Sequence, residues 1–189
     1  MSGSGSTAVT PDTCWLREPD EDDLNAVAAW LAQPGINQWF DFGQGRQRLS
    51  ALALQIMCHS GRHHLRVFGR TGHHAASGLV AVSDVTHGFA TGSFWVLRDA
   101  LRPAYAGMTC DASLSILQEA FERYRLGCIT AWAVQCNVRS RRLLARIGFR
   151  YIGMQRDCHP VDGKSFGRAL YDLVPEDLAV RPTRRMRVP

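Results

Sequence analysis

The segment 131–149 reads AWAVQCNVRSRRLLARIGF, and its two halves carry different periods. Cys128 to Val134 is a short apolar run that predicts a buried strand. From Val138 to Ile147 the apolar residues Leu143, Leu144 and Ile147 fall at helical spacing. Asn137 sits at the junction, where its side chain can cap the helix. Gly148 follows as a C′ residue and Phe149 turns inward.

Working outward, Asp111–Tyr124 repeats Ala112, Ile116, Ala120 and Tyr124 every fourth residue, and Gly127 stops it. Downstream, the strands Arg150–Arg156 and Phe166–Val174 flank the turn Asp162-Gly163. Upstream, His64–Gly69, Ser77–Asp84 and Ala90–Leu97 are strands separated by Thr71-Gly72 and His87-Gly88. Two helices precede them, Asp20–Leu31, ended by Pro34-Gly35, and Arg46–His59, and a short strand Cys14–Arg17 comes first. The order βααβββαβαββ combines hairpins with strand–helix crossovers. It predicts one α/β domain with a mixed, mostly antiparallel sheet of about seven strands and about four helices.

The 189 residues are 46% apolar and 21% charged, which excludes a disordered or fibrous chain. No run reaches the ~18 apolar residues of a membrane span. Residues 1–13 are rich in Gly, Ser and Thr and read as a flexible leader without signal-peptide character. The formal charge is +5, but residues 181–189 hold four Arg and no acid. Residues 14–180 hold 18 basic and 16 acidic side chains. The excess is therefore mostly a basic tail, taken as 179–189, without the interleaved aromatics of a nucleic-acid binder. Nucleic acid is not the expected partner.

Six cysteines (14, 58, 110, 128, 136 and 158) form no C-x-x-C pair. They are expected as reduced thiols in a cytoplasmic protein, with Cys136 a buried small residue. Cys58, His59, His63, His64, His73 and His74 lie close together, but their spacing fits no zinc template. They are expected at the surface, with no metal.

The pattern N-x-x-S-x-x-L-L-x-x-I-G-F (Asn137, Ser140, Leu143, Leu144, Ile147, Gly148, Phe149) is followed by G-M-x-R from Gly153. Then comes D-G-x-x-x-x-R-x-L-Y-D-L-V from Asp162. Together these resemble the GCN5-related N-acetyltransferases, and most closely the branch that acetylates ribosomal-protein N-termini. The resemblance covers about residues 14–178, beginning at Leu16, Arg17, Asp23 and Leu24.

That resemblance implies an acyltransferase using acetyl-CoA or another acyl-CoA as donor and a primary amine, on a small molecule or a peptide, as acceptor. It implies that the pantetheine arm lies between two splayed parallel strands against the fourth strand, near Val96 and Leu97. It places the pyrophosphate on the loop Ala104–Thr109, with Ala106, Gly107, Met108, Thr109 and Cys110 supplying amides. Asn137 and Ser140 would orient the donor, and Arg102 or Arg98 would add charge. The loop departs from the family's (Q/R)-x-x-G-x-(G/A): only Gly107 is kept, and Tyr105 and Thr109 crowd the backbone. A carrier-protein thioester donor and a non-catalytic binding module stay open on that ground. The family's proton-donating Tyr falls on Leu144, and its fourth-strand acid is missing from Ala90–Trp95.

Asp84 and His87 are therefore the candidate bases, and Ser140 or Cys136 the candidate acids. The resemblance implies that the aromatic connection Gln38–Phe42 borders the acceptor, where it either packs as a lid or receives an apolar or ring-shaped amine. Arg139, Arg141, Arg142, Arg146 and Arg150 form a basic face, either solvated or meeting the adenosine 3′-phosphate of CoA. Folds of this kind often pair as homodimers.

Overall fold

The computed structural model describes residues 13–179. Strands β1 (Cys14–Arg17), β2 (His63–Arg70), β3 (Gly78–Ser83), β4 (Thr91–Arg98), β5 (Cys128–Val134), β6 (Arg150–Val161) and β7 (Lys164–Leu173) form one sheet. Its order is β1-β2-β3-β4-β5-β7-β6. Every neighbouring pair is antiparallel except β4 and β5, which are parallel. The helices are α1 (Glu21–Leu31), α2 (Pro34–Asn37), α3 (Ala51–His59), α4 (Met108–Tyr124), α5 (Val138–Ile147) and α6 (Pro175–Ala179). No helix among the described residues is long and apolar enough to cross a membrane. The leader (residues 1–12) and most of the Arg-rich tail lie outside the described residues.

Local chemistry explains where the helices begin. Asp20 and Asp23 form a reciprocal capping box, and Glu21, Asp22 and Asp23 place negative charge in the first turn of α1. Pro34 does not simply end a helix. It stands at the first turn of the short α2, where its missing N–H costs nothing. The second predicted helix is shorter than its apolar pattern. It begins at Ala51 because the Ser50 hydroxyl accepts from the Ala53 amide at 3.1 Å. The residues before it are held in a loop by Asp41, whose carboxylate accepts from the Gly43 and Gly45 amides at 2.9 and 3.0 Å. Strand β6 runs on to Val161, past two breaks in its register with β7.

The sheet buries two cores. On one face α4 and α5 cover Phe68, Val80, Val82, Phe94 and Ile129. On the other α1 and α3 cover Val67, Leu79, Ala81 and Leu97. The central strand β3 is buried on both faces and alternates between the two cores. On the α1/α3 side the loop after α2 reaches across to β6 and β7, where Gln38 meets His159 and Asp41 meets Arg168.

Candidate active site

The parallel pair is the weak seam of the sheet. β4 and β5 pair only at Thr91↔Cys128, Gly92↔Ile129 and Ser93↔Thr130. Beyond that point β4 stays with β3 as far as Arg98, and β5 stays with β7 as far as Val134. The two strands are thus tied outward and separate from each other. A cleft of about 1780 Å³ opens along the split.

The register decides which backbone groups face it. Asp99 N–H donates to Ser77 O, so Leu97, Trp95 and Ser93, two residues apart, turn their backbone groups to β3. Phe94, Val96 and Arg98 turn theirs toward β5 and the cleft. By the same alternation, Gln135 N–H donates to Gly167 O, so Trp132 and Val134 face the cleft from the other side.

At the mouth of the split, α4 presents its N-terminus. Gly107 caps it with φ +102°, a conformation that side chains resist, and no side chain bonds to its first amides. Gly107, Thr109 and Cys110 line the cleft. The Tyr105 hydroxyl donates to Asp111 at 2.8 Å. Burial raises its pKa far above the ordinary tyrosine value, with the bond to Asp111 adding to the effect, so it stays a neutral donor.

Helix α5 starts at the end of β5. The Asn137 side-chain oxygen accepts from Ser140 N–H at 3.1 Å, as its position predicts. Asn137 and Ser140 both line the cleft, and so do Arg139, Arg142 and Arg146. These three arginines are spaced along one side of the helix. Arg141 instead donates to Gln135 O at 3.3 Å, and Arg150 pairs with Asp177.

The far wall is the loop after α2. Phe40 and Phe42 stack at 5.4 Å, and both meet Trp95 edge-on, at 6.2 and 5.1 Å. Arg168 of β7 anchors this loop. It holds the Asp41 carboxylate at 2.7 Å, lies over the Trp132 ring at 4.2 Å and donates to His159 Nδ1 at 3.1 Å. His159 is buried, and because Arg168 donates to its Nδ1 while its Nε2 lies 2.7 Å from the Gln38 carbonyl oxygen, these partners fit the Nε2–H tautomer. Burial of Asp41 opposes its ionisation. The Arg168 bond and the Gly43 and Gly45 amides outweigh that and hold the carboxyl below the usual range.

Two titratable groups line the cleft near the start of β4, Asp84 and His63. Asp84 lies 3.5 Å from Arg62. Its N–H donates to His63 Nδ1 at 3.3 Å, and burial depresses the His63 pKa, so the ring is neutral at neutral pH.

A family profile described as the acetyltransferase (GNAT) domain matches residues 14–150. The chain belongs to the GNAT acetyltransferase family. No curated protein matches it. Among solved structures, the GNAT domain is similar to the spermidine N-acetyltransferase of Vibrio cholerae in complex with CoA and spermine. The TM-score is 0.74 at 14% identity, over 88% of this chain and 98% of that one. It is similar to the ribosomal-protein-S5-alanine acetyltransferase of Vibrio fischeri, with TM-score 0.69 at 18% identity over 88% and 94% of the two chains. It is also similar to RimJ of Mycobacterium smegmatis in complex with CoA-disulfide, with TM-score 0.67 at 24% identity over 86% and 82%. At these identities the likeness is one of fold.

Within this GNAT domain the predicted residues divide. Asp84, Val96, Leu97, Arg102, Gly107, Thr109, Cys110, Asn137 and Ser140 line the cleft. The Leu97 backbone is committed to β3, and its side chain is buried in the core beneath α1 and α3. Arg102 is tied to Asp99 at 3.6 Å. Ala106 is exposed and not part of the lining, and Met108 is buried in the core with its N–H donating to Tyr105 O. His87 is not part of the lining either. Its Nδ1 accepts from Phe89 N–H at 3.3 Å and contacts the Thr91 hydroxyl at 3.2 Å, which makes it a turn residue. Cys136 is exposed rather than buried. His64, expected at the surface, is 3% exposed and bonded to Glu119 at 3.0 Å.

Three site residues were not singled out by the sequence reading: His63 as a cleft residue, and the pair Arg168 and His159. Arg168 stands inside the D-G-x-x-x-x-R pattern, which marked the residue without revealing its partner.

Proposed function

We propose that this protein transfers an acetyl or other small acyl group from acyl-CoA to a primary amine, by direct attack of the amine on the thioester. The observation that carries this reading is the split between β4 and β5, which leads to the N-terminus of α4, where Gly107 offers no side chain to the first amides. A pantetheine arm needs strand-like hydrogen bonds along its amides, and Phe94, Val96 and Arg98 offer them. A pyrophosphate needs amides and positive potential, and the first turn of α4 supplies both. Arg139, Arg142 and Arg146 lie on the same side, fitted to a further phosphate. Tyr105 does not stand in the way through its hydroxyl, which is held by Asp111.

In this reading the catalytic gain is mostly positioning. A β4 amide that faces the cleft, that of Phe94 or Val96, donates to the thioester oxygen as negative charge builds there. The incoming ammonium loses a proton before attack. Asp84 is the cleft-lining carboxylate with capacity to take it, directly or through water, in place of His87. The collapsing intermediate breaks the carbon–sulfur bond. The CoA thiolate takes up a proton, with Ser140 the candidate hydroxyl, and the second proton that the nitrogen sheds as the amide forms restores that hydroxyl. Residues 14–178 are proposed to be the whole acyltransferase unit, with 1–13 and 179–189 as flanks.

Calorimetry with acetyl-CoA tests the donor. Binding should weaken about tenfold or more when Arg139, Arg142 and Arg146 are replaced together by Gln, and should weaken in raised salt. Failure of acetyl-CoA to bind at millimolar concentration would refute the reading. Thiol release over an amine panel then separates an enzyme from a binding module.

A further inference from the structure

The acceptor half of the cleft is aromatic and short of available negative charge. Trp39, Phe40, Phe42, Trp95 and Trp132 line it. The Trp95 indole N–H already donates to the Ser83 hydroxyl at 2.9 Å, so the ring offers the cleft apolar surface. From α3, Ile56 and Met57 extend the apolar lining, and Ile56 is 61% exposed.

Three carboxylates line the cleft among the described residues, those of Asp41, Asp84 and Asp99. Asp41 is saturated. One oxygen accepts the Gly43 and Gly45 amides, and the other accepts Arg168. Asp99 accepts the Leu101 amide at 2.9 Å and faces Arg102 at 3.6 Å. Asp84 keeps capacity, because among the described residues its ion-pair partner is the exposed Arg62 at 3.5 Å and its side chain is 52% exposed. Of the arginines that line the cleft, Arg46 stands on the loop after α2, whereas Arg139, Arg142 and Arg146 stand on α5, on the side read above as the donor's.

A polyamine brings two or more ammonium groups that must each leave water. Each needs its own anionic partner, or the desolvation is uncompensated. One available carboxylate serves one ammonium. We infer, building on the acyl-CoA reading above, that the acceptor is a monoamine carried on an aromatic or similarly flat apolar body. The ammonium pairs with Asp84. The ring packs against Phe40, Phe42 and Trp95, the last of which is bonded to Ser83, the residue before Asp84. This acceptor class differs from the spermidine of the Vibrio cholerae neighbour, whose fold the chain shares.

The probes are 2-phenylethylamine, n-butylamine and spermidine. Their binding is measured by calorimetry on the full chain, with and without CoA, beside the binding of acetyl-CoA itself. 2-Phenylethylamine should bind at least tenfold more tightly than either other amine. Phe42→Ala should remove about tenfold of that preference, with Phe42→Leu intermediate, and neither should change acetyl-CoA affinity. Asp84→Asn should weaken 2-phenylethylamine with acetyl-CoA unaffected. Spermidine binding as tightly as 2-phenylethylamine, or a preference unchanged in Phe42→Ala, would overturn the inference and leave the donor reading standing. Preference for the aryl amine without acetyl-CoA binding would sink the donor reading alone.

Discussion

Arg168 of β7 holds the Asp41 carboxylate at 2.7 Å across 127 positions of sequence. The pair fastens the aromatic loop after α2 to the sheet beside the open seam. Both side chains are 17% exposed, so the contact is largely withdrawn from solvent. Replacing Arg168 by Met leaves the Asp41 charge half-desolvated and also removes the cover over Trp132. A loss of about 2–3 kcal/mol is expected in urea denaturation. In the enzyme reading, KM for the amine should rise while KM for acetyl-CoA holds. Equal effects on both would mean that the latch does not act on the acceptor side.

Glu119 gives a pH dependence with a definite sign. The bond from His64 lowers its pKa, burial opposes this, and Arg66 at 3.3 Å adds to the lowering. A depressed carboxylate stabilises the fold fully above its unfolded pKa of about 4.3 and loses that contribution as pH falls through the folded value. The stability difference between wild type and Glu119→Gln should thus be constant near neutrality and shrink below about pH 4. Denaturation midpoints from about pH 3 to about pH 7 check it. A difference that grows on acidification contradicts the assignment.

Gly107 separates backbone strain from crowding. A Cβ there meets nothing within 4 Å, yet φ is +102°. Gly107→Ala should therefore cost about 1–2 kcal/mol through conformation alone. Gly35→Ala meets equally open space without a positive φ and should be neutral or slightly stabilising. Thermal denaturation of the two variants decides it, and equal effects would refute the strain account.

Gly78 is the opposite case. A Cβ there would stand 2.5 Å from the Phe68 ring and 2.6 Å from the Leu97 carbonyl oxygen. The ring can shift, but the carbonyl belongs to the β3–β4 ladder. Gly78→Ala should destabilise by about 1–3 kcal/mol. Gly153→Ala, with nothing within 4 Å, is the control. If Gly78→Ala is as mild as its control, β4 can yield at this point, and its position along the cleft is softer than the packing implies.

Much of this was legible in the sequence because it is local. The helix starting at Asn137 and closing at Gly148, the strand before it and the hairpin at Asp162-Gly163 are each set by residues within a few positions of one another. Their caps and turns follow from backbone geometry that neighbours alone determine. The apolar period of α4 was read correctly, but its first turn was missed. A glycine with positive φ starts it, and no polar side chain marks that start. The apolar pattern also overextended α3, because Asp41 fixes the preceding loop through amide bonds that carry no periodic signal.

The amino-acid sequence thus determined the kinds of elements, their order and the family pattern on the 137–149 block. It could not determine which groups share the cleft. His63, Asp84 and Asp41 line it from three separate places in the chain, Asp41 held there by Arg168 of β7, and nothing in the sequence shows that these side chains meet. His87, close to Asp84 in sequence, is turned into its own loop. Which face a side chain takes, and which backbone amides face an open seam rather than a paired strand, depends on strand register. Register is a property of two strands together, so it was settled only when the sheet assembled and β4 and β5 parted after Ser93 and Thr130.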